Sequence, residues 1–155
     1  GVLLRGRAGG TSSYTVEVVP TTLSASRTAT LPDASITVAG TDLAQSFSAA
    51  QRGTISTLTD GATVTPDFAV ANNFTLTLGG NRTLANPTNL TAGQSGVIYL
   101  VQDGTGSRTL SYGSQYDFEG GTAPSLTTTA NAADVLVYSV RTTGSIFCRL
   151  LKNFS

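Results

Sequence analysis

Two carboxylates stand two residues apart in Asp117-Phe118-Glu119, and the rings of Tyr112, Tyr116 and Phe118 crowd into the same stretch with Ser111, Ser114 and Gln115. On an extended strand, residues i and i+2 point the same way, so Asp117 and Glu119 would lie within several ångströms of each other. A glycosidase needs such a pair. It also needs burial or a third group to set one carboxyl apart from the other, and the flanking Gly120-Gly121 points instead to a solvated loop edge. Sugar binding asks for less. Aromatic rings stack on pyranose faces while neighbouring amides and carboxylates take the hydroxyls, so Tyr112, Tyr116, Asp117, Phe118 and Glu119 form a candidate glycan surface. The competing reading has these aromatics closing one end of a hydrophobic core.

Other chemistry is sparse. The chain has no histidine, which removes the usual general base and the commonest metal ligand. Cys148 stands alone in Ile146-Phe147-Cys148, so there is no disulfide framework and no cysteine metal cluster. It reads as a small apolar residue on a strand. Asp103-Gly104-Thr105-Gly106-Ser107 resembles a phosphate loop only in its glycines. It lacks the lysine and the following helix, and reads as a hairpin turn. No catalytic residue, metal site or cofactor is expected.

The elements that would position these groups are strands. Threonine is the commonest residue, lysine occurs once, at Lys152, and methionine and tryptophan are absent. Threonine and valine suit pleated strands, whereas helices draw on Leu, Glu, Lys and Met. Charge is 12% of residues and sums to zero, so nothing concentrates nucleic acid or anionic lipid on the surface. No apolar run approaches the ~18 residues of a membrane span, and no membrane insertion is expected.

The organising stretch is 97–103, Val-Ile-Tyr-Leu-Val-Gln-Asp, with 134–141 as its partner. Both read as strands buried on two faces. Further strands are predicted at 55–58, 62–65, 74–78, 82–84, 108–112 and 145–152, separated by turns such as Asp60-Gly61, Gly79-Gly80-Asn81 and Thr143-Gly144. About eight short strands at this spacing predict a β-sandwich or jelly-roll over 54–155. The last strand is apolar on both faces, which suits a central or interface position.

Residues 1–53 are different. Tyr14, Val16 and Val18 alternate with Thr15 and Glu17 up to Pro20, and short strands follow around Leu31-Pro32-Asp33 and Ile36-Thr37-Val38. Strands this short are marginal alone, so copies of the same chain are needed to complete them. Residues 42–51 read either as a short helix, with Asp42 at its N-cap and Gly53 at its stop, or as an extended linker packing Phe47. The absence of methionine suggests a piece of a longer polypeptide.

Two segments resemble bacteriophage fibre proteins. Residues 14–20, followed by Leu23, Arg27-Thr28 and Leu31-Pro32-Asp33-Ala34-Ser35, are similar to the repeat of tail-fibre and head-fibre shafts. Residues 58–68, 73–84, 93–96 and 102–106 are similar to the globular C-terminal domain that ends such fibres. The resemblance implies an all-β homotrimer: an interwoven stalk at 1–53 and a knob at 54–155. It implies a virion appendage that partners itself, other virion proteins and a host cell-surface polysaccharide, with a capsid head fibre or decoration protein as the alternative. It carries over no functional residues.

Overall fold

The computed structural model describes residues 50–154. Residues 1–49, and with them the expected stalk and most of the helix-or-linker stretch at 42–51, lie outside the described residues. Nine strands and no α-helix occur among the described residues. Strand β1 is Ile55–Thr57, β2 Thr63–Val64, β3 Asn73–Leu78, β4 Arg82–Leu84 and β5 Ser95–Gln102. Strand β6 is Leu110–Tyr112, β7 Tyr116–Phe118, β8 Ala133–Thr142 and β9 Ser145–Phe154. Every strand expected between residues 54 and 154 is present, with ends displaced by a few residues at most, and those expected before residue 50 lie outside the described residues.

Alternation explains the longer ones. Along β3, Phe74, Leu76 and Leu78 are buried while Thr75 and Thr77 are not. Along β5 the buried side chains are Ile98, Leu100 and Gln102, and along β8 they are Asp134, Leu136, Tyr138 and Val140. Such period-two burial places one face of a sheet against a core. The expectation that β5 and β8 are buried on both faces is therefore corrected: Val97, Tyr99, Val101 and Val135 are half-buried and Val137 is exposed. The two strands are partners, as expected, and they pair antiparallel, with Ile98 opposite Leu136 and Leu100 opposite Asp134.

The strands form a six-stranded sheet in the order β1-β3-β5-β8-β9-β7 and a three-stranded sheet in the order β2-β4-β6. Val64 and Leu84 from the small sheet share one core with Phe74, Leu76, Ile98, Leu136 and Ile146 of the large one, and Phe68 and Leu126 close it from loops. Phe68 stacks on Tyr138, with ring centroids 4.6 Å apart. Two sheets therefore face one another, as a sandwich requires. The strand pairing, however, does not show a jelly-roll, which is built from antiparallel strands. Here β1, β3 and β5 pair parallel, and so do β2, β4 and β6. The chain runs β1 to β2, β3 to β4 and β5 to β6, one strand to each sheet per turn, so the first six strands form three stacked coils. The antiparallel β8–β9 hairpin extends the large sheet beyond the third coil.

The corners have a common chemistry. Asp60 accepts from Arg82 of the next coil at 2.6 and 2.8 Å. After β5, Asp103 accepts the backbone N–H groups of Thr105 and Gly106 and holds the Arg108 guanidinium at 2.7 Å. The glycine-rich loop is thus a turn, as expected. Its amides are used by its own aspartate, and it joins two sheets instead of closing a hairpin. Gln102, buried at the end of β5, exchanges both side-chain hydrogen bonds with the backbone of Arg108.

Candidate functional site

The candidate aromatic and acidic residues gather around β7, a strand where the sequence predicts a loop edge. After β6 the chain turns at Gly113, whose N–H donates to Leu84 O at 2.8 Å. The Asn86 side chain fills the space beside it and accepts the Gln115 N–H at 2.9 Å. A Cβ at Gly113 would collide with Asn86. The Ile146 N–H donates to Gln115 O, and β7 runs parallel to β9 from there, with Asp117 opposite Phe147 and Phe118 opposite Cys148. A 3-10 turn at Glu119–Gly121 ends it. Among the described residues β7 pairs only with β9, so it is an edge strand of their sheet.

The three rings do not behave alike. Tyr116 is buried in the core and donates its hydroxyl to Ala85 O at 3.2 Å. Tyr112 lies between it and Phe118, with centroids 5.9 Å and 4.7 Å away. Burial pushes both tyrosine hydroxyls well above their usual range. Tyr112 and Phe118 are half-buried. The rings therefore close the end of the core, as the competing reading had it, and only the flanks of Tyr112 and Phe118 face outward.

The acidic residues are exposed. Asp117 accepts from the Ser145 hydroxyl at 2.6 Å, and Ser145 accepts from Arg141 Nε at 3.2 Å. Glu119 makes no ion pair with any described residue. Both carboxylates are exposed, whereas a sugar-cleaving pair keeps one carboxyl buried. Among the described residues, no three potential ligands gather that could hold a metal ion. Cys148 is buried, and its thiol is pushed up to about 12 by burial and then by the charge of Asp117, so it is an inert core residue.

What the arrangement offers is a surface. Three depressions of about 180, 310 and 190 Å³ run into one another along β7 and share Asp117, Phe118, Glu119 and Cys148 in part. Phe147 and Arg149 of β9 line two of them and were missed as candidate site residues. Phe147 is 53% exposed, with the Arg141 guanidinium 5.4 Å from its ring centre. The signal that pointed to them was the apolar character of both faces of the last strand. A fourth depression, about 420 Å³, lies at the first coil between β1 and β2. Its one ionisable group, Asp67, is engaged by Asn89 and by the Ala69 N–H.

Comparison with known proteins gives one match. The model of the family described as "Putative phage tail fibre C-terminal domain" matches residues 64–144, more than half of the chain and the part that holds β3 to β8 almost entirely. No curated protein and no solved structure matches the chain. This all-β chain therefore belongs to the family of phage tail fibre C-terminal domains, a component of the virion's tail fibre.

Proposed function

We propose that this chain forms the homotrimeric end of a tail fibre and attaches the virion to a glycan of the host surface. Residues 1–53 are the stalk in this reading, and residues 54–155 are the knob that presents the binding surface. The observation that carries it is the groove along β7. Exposed carboxylates on Asp117 and Glu119 and the flank of Phe118 border adjoining depressions along this edge, with the flank of Tyr112 in one and the open ring of Phe147 in the next. Rings for sugar faces and carboxylates for sugar hydroxyls are the parts a glycan site uses. A depolymerase would hold one of its two carboxylates buried, and Asp117 and Glu119 are both exposed.

The test is binding of the full chain to a panel of immobilised bacterial surface polysaccharides. The expected result is saturable binding to a subset, weakened at least tenfold by Asp117→Ala and by Phe147→Ala, with unchanged circular dichroism. Tyr116→Ala is a poor probe, because that ring belongs to the core. Binding that ignores both substitutions would move the site away from β7. No binding to any cell-surface polysaccharide or intact bacterium would remove the attachment role.

A further inference from the structure

Strand β7 stops where two opposite charges would otherwise meet. Tyr116, Asp117 and Phe118 stand opposite Ile146, Phe147 and Cys148 of β9, so one more residue in the same parallel register would set Glu119 opposite Arg149. Neighbouring strands lie about 4.8 Å apart, well within the reach of a glutamate and an arginine. Instead the chain leaves the ladder at Glu119, through a 3-10 turn in which Gly120 and Gly121 both have φ of 72°. A side chain at either glycine would meet nothing, so it is the turn of the backbone that asks for glycine there. Glu119 and Arg149 are left lining one depression of about 190 Å³, together with Phe118, Thr122 and Pro124. Both side chains are exposed, and neither makes an ion pair or hydrogen bond with any described residue. The other charges at this edge are engaged. Arg141 donates to Ser145 Oγ at 3.2 Å and lies over the Phe147 ring, and Asp117 accepts from the Ser145 hydroxyl.

We infer that the depression between Glu119 and Arg149 takes a glycan repeat that carries both an ammonium and an acid group, an amino sugar beside an acidic one. The inference rests on the glycan-attachment reading above and adds the class of sugar to it. A ligand that covers this depression strips water from both charges. A neutral sugar returns only hydrogen bonds charged on one side. A purely acidic repeat answers Arg149 and is repelled by Glu119 across the same small space, and a purely basic repeat meets the reverse. A repeat with both charges satisfies each, its acid group on the planar fork of Arg149 and its ammonium on the Glu119 carboxylate. The rest of the chain does not bias the choice, because its charge sums to zero. The next depression, with Asp117 and the rings of Phe118 and Phe147, is left for the neighbouring sugar.

The test sets the full chain against immobilised bacterial surface polysaccharides of four kinds, with neutral, acidic, amino-bearing and zwitterionic repeats, the acid groups being uronates. Zwitterionic members should bind about tenfold tighter or more than the other three. N-acetylation of a bound polymer removes its ammonium, and carbodiimide-activated reduction removes its carboxylate; each should cost about tenfold. The losses should also be paired. Glu119→Gln should weaken binding to the untreated polymer but add nothing to the loss on N-acetylation, and Arg149→Gln should do the same with respect to carboxylate reduction. Both variants alter exposed side chains, and unchanged circular dichroism checks that they fold. Binding confined to neutral or singly charged polymers, or binding of a zwitterionic one that ignores Glu119→Gln or Arg149→Gln, would overturn the inference. If Phe147→Ala still weakened that binding, the glycan reading would stand without it. No binding to any of the four kinds or to intact bacteria would overturn both.

Discussion

At the scale of single residues, the acidic groups are structural before they are anything else. The Arg108 guanidinium, helped by the backbone N–H groups of Gly106 and Thr105, holds the Asp103 carboxyl at about 2, below the ordinary 3.8. A carboxyl whose folded value is depressed adds stability above its unfolded value, and that stability is lost as pH falls through the folded one. The melting temperature should therefore be level from neutral pH to about 4 and decline between about 4 and 2, with Asp60, lowered by Arg82, adding to the decline. Asp103→Asn should melt lower at pH 7 and show a shallower acid decline; an unchanged pH profile would show that the turn carries no such linkage. Asp134 acts through a different term. It is buried and accepts the N–H groups of Thr127 and Asn153 at 2.7 and 2.8 Å. Asp134→Ala leaves two inward donors without a partner, which costs ~2–3 kcal/mol or more in urea unfolding. Asp134→Asn, which keeps one acceptor, should recover part of that loss.

At the scale of elements, each strand's two faces do different work, and paired substitutions separate them. Leu76 is fully buried in the middle coil, so Leu76→Ala should cost ~2–5 kcal/mol, whereas Thr77→Ala, the next residue but outward, should stay within ~0.5 kcal/mol. Equal effects would contradict the burial pattern. Between coils, space is the constraint: a Cβ at Gly96 would overlap Asn72 O, whose other contact is the Tyr138 hydroxyl at 2.7 Å. Gly96→Ala should destabilise by ~2–3 kcal/mol. The strands were legible in the sequence because alternation such as Phe74-Thr75-Leu76-Thr77-Leu78 is a local property. Their pairing was not. A turn such as Asp60-Gly61 or Gly79-Gly80-Asn81 reads the same whether the chain reverses in one sheet or crosses to the other, and only the long-range register of β1, β3 and β5 distinguishes stacked coils from hairpins. Strand β7 was missed because three residues between Gln115 and Glu119 give too little alternation to count, and what holds them extended is Asn86, some thirty residues earlier in the chain. The candidate site was legible as a composition of rings and carboxylates; that Tyr116 faces the core while Phe147 joins the surface depends on the β7–β9 register.

At the scale of the whole molecule, the groove along β7 is shallow, and a shallow site on a solvated sheet edge gives weak single contacts. On the proposed trimeric reading, linking three such sites turns the second and third contacts into intramolecular events, and the gain is commonly about 10²–10⁴ without any new interaction. An immobilised polysaccharide should therefore be bound ~100-fold or more tighter than a soluble oligosaccharide of the same repeat, and Asp117→Ala should weaken both by at least the same factor, because it removes a contact that every site makes. Calorimetry with the soluble ligand and surface plasmon resonance on the polymer read the two quantities independently. Equal affinity for the soluble and the immobilised sugar would contradict three linked sites, and a polymer affinity untouched by Asp117→Ala would move the contact away from β7.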